Sequence, residues 1–472
     1  MNEINSKNST VFQSTPLVAG GDISSIHSIY FVGIGGIGMS ALARYFHSKN
    51  VIVSGYDKTQ TPLTKALEDT GIAIHYQEDV EGIPKDVDAV VYTPAIPANH
   101  AELVYYKTNG YTVIKRSDVL QWISESSFNI CVAGTHGKTT TTSMIAHILR
   151  HTGYGCNAFL GGIAANYDTN FWSSENNVVV VEADEYDRSF LKLSPDVAII
   201  TSMDADHLDI YGTAVEVENA FIQFSRKVKP NGCLITKYGL ARANEFTVPD
   251  HCTYSLKDTN ADVHVANLQV ENGSYRFDVV NQYWTVENVV LHMGGLHNIE
   301  NCIVAISVAK YLKIDNEKII VAVADFKGVK RRFEYLLKND NHVLIDDYAH
   351  HPTELQALIS GVRSLFGDKK LTLVFQPHLF SRTNDLAAEF AQSLSLADEV
   401  ILLPIYPARE LPMPGITSDM VLDKMTLTKK QVLDKYAMLE WMQANKPELV
   451  VMAGAGDIDT LLLPVKNILT TT

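Results

Sequence analysis

Two glycine-rich stretches bring together the residue types that bind phosphate. The first, Gly33-Ile34-Gly35-Gly36-Ile37-Gly38, follows the apolar run Ile29-Tyr30-Phe31-Val32 and opens a helical stretch. Backbone amides approach a diphosphate closely only where side chains are missing, and a helix N-terminus adds the positive end of its dipole. Asp57, at the end of the next strand, is placed to accept from a ribose hydroxyl. Gly33, Gly35, Gly36, Gly38 and Asp57 therefore predict a nucleotide-diphosphate site, for which NAD is one ligand among several. A tight turn that binds nothing is the plain structural reading.

The second stretch, Gly134-Thr135-His136-Gly137-Lys138-Thr139-Thr140, also joins a strand to a helix but carries a cation and hydroxyls. Its spacing is shorter than G-x-x-x-x-G-K-[ST], yet the parts serve the same chemistry. Amides and the Lys138 ammonium can cradle ATP phosphates, and the Thr139 hydroxyl can reach Mg²⁺. Two phosphate loops on separate blocks imply two phosphorylated ligands, one more than a simple dehydrogenase needs.

Further groups fall at strand ends, where α/β sheets present their ligand crevices. Glu182 begins Glu-Ala-Asp-Glu-Tyr-Asp (182–187), and His207 lies in Asp-Ala-Asp-His-Leu-Asp (204–209). A hard oxygen such as that of Glu182 suits Mg²⁺, whereas imidazole is an uncommon partner, so His207 also reads as an ordinary polar histidine. Two cations would clamp the oxygens of a phosphoryl transfer. In the last third, Lys330-Arg331-Arg332 is either a solvated charge run or a guanidinium donor to a γ-phosphate. His350, in Asp346-Asp347-Tyr348-Ala349-His350-His351, together with His378, Arg382 and Arg409, closes later strands and suggests a binding face.

The elements that must position these groups alternate between strand and helix. From Ser25 the pattern is βαβ, continuing through strands at 89–92 and 112–114 and pausing at the polar run 124–127. A second block starts at Asn129; its strands Val178–Val181 and Val197–Ile200 are apolar throughout, as in a parallel sheet covered on both faces. Between about 252 and 293 the pattern alternates residue by residue, predicting an antiparallel appendage. A third alternation follows Lys327. The expected fold class is α/β with three domains: a Rossmann-like nucleotide-binding domain at 25–124, a P-loop ATPase-type domain with the small antiparallel appendage at 125–327, and a Rossmann-like C-terminal domain at 328–472. Residues 1–24 read as a disordered tail.

Composition narrows the classes. A chain of 472 residues with 46% hydrophobic and 20% charged residues can fold several cores. Its net charge of −15 opposes generic attraction to nucleic acid or an anionic membrane, so any polyanion site is local. The five cysteines form no CxxC pair, and no apolar run is long enough to cross a bilayer, which suits a reducing cytoplasm. A monomer and a homodimer are both compatible with the sequence.

Taken together, GIGGIGMSALA (33–43), AGTHGKTTTT (133–142), EADEYD (182–187), DADHLD (204–209), Gly295 with His297, Asn298 and Asn301, GVKRRFE (328–334), DDYAHHPTE (346–354), FQPHLFSRT (375–383), IYPARE (405–410) and GAGD (454–457) resemble the Mur ligase family over nearly the whole chain after the tail. The resemblance implies a cytoplasmic enzyme of peptidoglycan synthesis. It would join L-alanine to the lactyl carboxylate of UDP-N-acetylmuramate, with ATP as co-substrate and two Mg²⁺ ions. The first loop would hold the UDP diphosphate. Lys138 would contact the β- and γ-phosphates, Thr139 and Glu182 one Mg²⁺, and His207 a second. His297, Asn298 and Asn301 would line the ATP site, Arg331 or Arg332 would reach the γ-phosphate, and His350, His378 and Arg382 would face the acceptor.

The chain departs from the family at Ser202, commonly Asn, at Leu296, commonly Arg, and at Leu379, often Arg. Near Phe221, where several relatives carry a carbamylated lysine, it has no lysine before Lys227. A murein tripeptide-recycling ligase, an NAD-dependent oxidoreductase and a non-catalytic nucleotide-sugar sensor are the competing readings.

Overall fold

The computed structural model describes residues 25–186, 188–205, 207–271, 273–367, 369–408 and 410–471. The expected tail 1–24 and Arg409 lie outside the described residues. Two compact units are present, one ending at Ser127 with Lys192–Ser194 added, the other formed by Phe128–Leu191 and Pro195–Thr472.

In the first unit, strands β1 (Ser28–Val32), β2 (Ile52–Tyr56), β3 (Ala73–His75), β4 (Ala89–Tyr92) and β5 (Val113–Lys115) form a sheet of order β3-β2-β1-β4-β5. Every pair is parallel. Central β1 has neighbours on both edges, so Ile29, Tyr30, Phe31 and Val32 are fully buried. The chain leaves β1 toward β2 on one side and reaches β4 on the other, so the first glycine loop emerges beside the topological switch point.

The second unit holds two sheets. Strands β6 (Phe128–Ala133), β7 (Asn157–Ala164), β8 (Thr169–Trp172), β9 (Val178–Glu182), β10 (Val197–Ile200), β11 (Cys233–Lys237), β12 (Asp250–Ser255), β13 (Val263–Glu271), β14 (Ser274–Asn281) and β15 (Trp284–Leu291) form one ten-stranded sheet. Its order is β15-β14-β13-β12-β11-β10-β6-β9-β7-β8. The apolar strands β9 and β10 pair in parallel on either side of β6, as continuous burial demands. The alternating segment forms the antiparallel strands β13–β15, and these extend the central sheet through a short parallel pairing of β12 with β13.

Strands β16 (Glu334–Lys338), β17 (Val343–Asp347), β18 (Leu371–Phe375), β19 (Glu399–Leu402), β20 (Lys430–Val432) and β21 (Leu449–Ala453) form the last sheet, of order β16-β17-β21-β18-β19-β20. Its first strand is antiparallel and the rest are parallel. One apolar cluster runs from Tyr275, Phe277 and Met293 of the central part to Phe333, Val343 and Phe366 of the last part. The two sheets therefore share packed apolar surface inside one unit.

Candidate active site

The first loop is held mainly by its own backbone and one acid. Gly33 has φ +87°, a conformation that side chains disfavour, and the amides of Gly33 and Ile34 both donate to the Tyr56 carbonyl, at 2.8 and 2.9 Å. The helix Ile37–Ser48 starts after Gly36 with no side-chain cap, which leaves its first amides facing outward from the strand end. Asp57 accepts from the Gly35 amide at 2.8 Å through Oδ2 and from the Thr59 amide at 3.2 Å through Oδ1. A Cβ at Gly35 would sit 2.8 Å from Asp57 Oδ2, and one at Gly38 would collide with the Arg116 guanidinium. Asp57 thus braces the loop through both carboxylate oxygens.

The second loop is wired to the strands beside it. Gly134 (φ +130°) and Gly137 (φ +83°) bend the chain into the helix Lys138–His151. Thr201 donates to the His136 carbonyl at 2.5 Å, Ser202 accepts from the His136 amide at 2.9 Å, and Thr135 donates to the Asp204 carbonyl at 3.0 Å. Ser202, one of the positions where the resemblance leads to the expectation of another residue, therefore ties the loop to the end of β10. Lys138 Nζ donates to the Gly134 carbonyl and to Glu185 Oε1, both at 2.8 Å. Glu185 is almost fully buried. His207 Nε2 lies 3.9 Å from the same Glu185 oxygen and packs edge-on to Tyr186, while His136 faces Asp204 at 3.7 Å.

Thr139 donates to Glu182 Oε2 at 3.2 Å, and the Gly161 amide donates to Glu182 Oε1 at 2.7 Å. Any Cβ at Gly161 would strike that carboxylate at 2.5 Å. Burial pushes the Glu182 carboxyl above its ordinary range, opposed by the Gly161 amide, Lys138, Thr139 and Arg332. These two hard oxygens suit Mg²⁺, an ion usually held by one or two protein groups plus substrate phosphates. Among the described residues no cluster of three or more His, Cys, Asp or Glu could hold a metal by itself.

The helix Leu296–Tyr311 supplies the amides. Asn301 accepts from Thr141 at 3.0 Å and donates to Asn298 at 3.1 Å, which in turn donates to the Gly294 carbonyl at 2.6 Å. A Cβ at Gly137 would lie 2.8 Å from Asn301 Oδ1, so the loop and this helix touch through a glycine. His297 lines a cavity of about 350 Å³ with Ser255, Leu256, Lys257, Leu296 and Glu300. Burial holds its ring below the usual histidine range. Thr140 lies buried in the first turn of the helix that follows the loop.

The adjacent arginines part ways. Arg331 turns into the last sheet, donating to the Gly454 carbonyl at 2.5 Å and lying 3.4 Å from Asp346 and 3.6 Å from Asp459. Arg332 is exposed, and its charge acts on Glu182, His297 and Asp347. Asp347 accepts from the Phe333 and Ala349 amides at 2.7 and 2.8 Å, and burial pushes its carboxyl up to about 6.

His350 and His378 face each other with ring centres 6.1 Å apart, and His378 stacks on Tyr406. Among the described residues His378 Nδ1 and Arg382 Nη1 are buried without a partner. Burial, with help from Arg382 and His350, lowers the His378 ring. Leu379 sits between them at φ +72°, tied to the Tyr406 carbonyl through its amide. Phe221 is a core residue against Phe190.

Sequence reasoning missed Glu185, Asp347, Thr201 and Gly161. Glu185 and Asp347 stood inside strand-end acidic runs, and the doubled glycine Gly161-Gly162 inside an apolar strand was the available sign of a close approach.

Comparison with known proteins places the chain in a family. Family models described as "Mur ligase family, catalytic domain", "Mur ligase middle domain" and "Mur ligase, glutamate ligase domain" match residues 28–127, 132–309 and 331–456. UDP-N-acetylmuramate–L-alanine ligase of Cytophaga hutchinsonii is 47% identical over 94% of this chain and 97% of its own length. The protein of that name from Porphyromonas gingivalis W83 is 46% identical over 94% and 99%. Among solved structures, UDP-N-acetylmuramate–alanine ligase of Thermotoga maritima matches with a TM-score of 0.78 and 28% identity, covering 93% of this chain and 98% of its own. A murein peptide ligase from Psychrobacter arcticus shares the fold, with a TM-score of 0.63 and 22% identity over 94% of this chain and 99% of its own. With three successive domain matches and near-complete alignment to these relatives, the chain belongs to the Mur ligase family.

Proposed function

We infer that the chain is an ATP-dependent ligase that adds L-alanine to the lactyl carboxylate of UDP-N-acetylmuramate in peptidoglycan precursor synthesis. The observation that carries this reading is the likeness, at 47% identity over 94% of the chain, to a protein of that activity. The local geometry supports it, because a glycine loop without a cation and a glycine loop with one suit a carrier diphosphate and a reacting triphosphate. A murein tripeptide-recycling ligase is the nearest second reading, supported by a fold match at the lower TM-score of 0.63.

A carboxylate is a poor acyl donor because its oxygen leaves badly. Transfer of the γ-phosphoryl group forms an acyl phosphate; a neutral amine then attacks, and the tetrahedral adduct expels phosphate as the amide forms. In this chain Lys138 would exchange Glu185 for the β- and γ-phosphates, a contact that strengthens as charge moves in transfer. Thr139 and Glu182 would hold one Mg²⁺ and His207 would help hold a second; the ions would neutralise charge on the transferred group. Asn298 and Asn301 would fix the loop from behind, and the cavity beside His297 would take the nucleoside. Arg332 would face the γ-phosphate, and His350, His378 and Arg382 would receive the amino acid, whose carboxylate suits the unpaired Arg382 nitrogen. The first loop would bind the UDP diphosphate. Both substrates being cytoplasmic metabolites, the enzyme would work in the cytoplasm.

Phosphate release with ATP, UDP-N-acetylmuramate and a panel of amino acids, plus free tripeptide, tests the reading. Release that depends on L-alanine supports it; release with the tripeptide alone favours the recycling ligase; reduced-nicotinamide turnover would point to an oxidoreductase, and binding without any turnover to a sensor.

A further inference from the structure

Arg331 and Arg332 are neighbours in sequence yet serve opposite directions, and the segment that carries them explains how. Gly328 (φ +89°) accepts at its carbonyl from the Ala165 amide at 3.0 Å, and the Lys330 amide donates to the Ile163 carbonyl at 2.9 Å, so the segment is stitched to the end of β7. On the other side the Tyr348 amide donates to the Arg331 carbonyl at 2.7 Å, and the Arg331 amide donates to Glu334 at 2.9 Å. Arg331 and Phe333 adopt φ of +62° and +49°, left-handed conformations that strain a non-glycine residue and persist only where surrounding contacts impose them. They flank Arg332 on both sides.

The contacts that impose them meet at the Arg331 guanidinium. It donates to the Gly454 carbonyl, lies at ion-pair distance from Asp346 (3.4 Å) and Asp459 (3.6 Å) with no hydrogen bond to Asp346, and sits over the Tyr348 ring with its centre 5.1 Å away. Asp346 is fully buried on β17, neither of its carboxylate oxygens has a hydrogen-bond partner among the described residues, and the Arg331 guanidinium lies 3.4 Å away as its ion-pair partner. Arg332, by contrast, has no ion pair or side-chain hydrogen bond among the described residues, although its charge reaches Glu182 and His297.

We propose that Arg331 and Asp346 are positioning residues: their buried pair holds the strained segment so that Arg332 points at the γ-phosphate end of ATP, and Arg331 itself never touches the nucleotide. This rests on the ligase reading and adds to it the device that aims its arginine. A flexible arginine on a relaxed loop would spend most of its time elsewhere; a clamped backbone removes that freedom before the substrate arrives.

A double-substitution cycle tests it. Arg331→Met and Asp346→Asn should each lower kcat for alanine-dependent phosphate release by ~10- to 100-fold, with the calorimetric Kd for ATP changed less than about twofold. Arg331→Lys, which keeps the charge near Asp346, should recover part of the loss. On an Arg332→Ala background, Arg331→Met should cause less than about a twofold further loss, because both act through one guanidinium. A fold that is merely weakened would instead lower ATP affinity and lose activity additively. Additive losses overturn the proposal, and so does an Arg331 substitution that raises the Kd for ATP tenfold. If Arg331→Met fails to fold, Asp346→Asn and Arg331→Lys complete the same cycle. No turnover in the unsubstituted chain overturns the ligase reading together with the proposal, whereas turnover with additive losses overturns the proposal alone.

Discussion

The two glycine loops share a strand–turn–helix plan and differ in what they hold in reserve. At the first, among the described residues the only charged side chain bound to a loop amide is Asp57, and the helix amides behind Gly36 carry no side-chain cap. At the second, an ammonium, a hydroxyl and two carboxylates lie within about one hydrogen bond of each other: Lys138 on Glu185, Thr139 on Glu182. Amides alone bind a diphosphate equally well before and during reaction, whereas mobile charge can follow a phosphoryl group as it transfers. The comparison teaches that one backbone device becomes a handle or a reaction site according to the side chains its neighbours supply.

The sharpest way to break that comparison is Lys138→Ala. Phosphate release should fall on the order of 10³-fold, equivalent to ~4 kcal/mol, while UDP-N-acetylmuramate binding measured by calorimetry stays the same. Loss of both would show that the loops are not independent in role. Next in size are the glycines themselves. A Cβ at Gly134 would collide with Thr201 Oγ1 and come 2.9 Å from two backbone nitrogens, so Gly134→Ala should cost about 3 kcal/mol or more in denaturant melts. At Gly36 the nearest atom to a Cβ is 3.6 Å away, and Gly36→Ala should stay within about 0.5 kcal/mol.

The helices behind the loops differ in their response to acid. His147, buried in the helix Lys138–His151, is linked to the Ala322 carbonyl and the Tyr167 hydroxyl, and burial lowers its ring from the ordinary 6.5 to about 4. The folded state therefore binds this proton less readily than the unfolded chain. Its stabilising share is complete above pH 6.5 and is lost as pH falls toward 4, up to about 3 kcal/mol. Hydrogen exchange across that interval should loosen this helix before the helix Ile37–Ser48, whose buried residues include no histidine. The reverse order would contradict the assignment. The smallest effect expected on catalysis is for Asp57→Asn: a KM for the UDP-sugar raised ~5- to 10-fold, equivalent to ~1 kcal/mol, with kcat and the KM for ATP unchanged in steady-state assays. A change in kcat would move Asp57 from loop brace to reaction centre.

Much of the molecule was legible from local pattern. The glycine loops, the strand-end acids and the amide helix occur as contiguous motifs whose residue types have few other uses, and the unbroken apolar strands β9 and β10 fitted buried parallel strands. The antiparallel strands were legible as alternation, but their continuity with the central sheet was not, since it depends on one short pairing of Tyr254 and Ser255 with Val263 and His264.

What the sequence by itself determined was the inventory: which segments could cradle phosphate, which ends of strands carried acid, imidazole or guanidinium, and in what order. Only the tertiary structure decided their partners. It turned Asp57 onto Gly35, gave Lys138 the buried Glu185, and separated Arg331 from Arg332. The physical reason is range. Glycine conformation and helix starts are set by a few neighbouring residues, whereas an ion pair such as Arg331 with Asp346 or Asp459 forms only after sheet register and packing bring distant residues within a few ångströms.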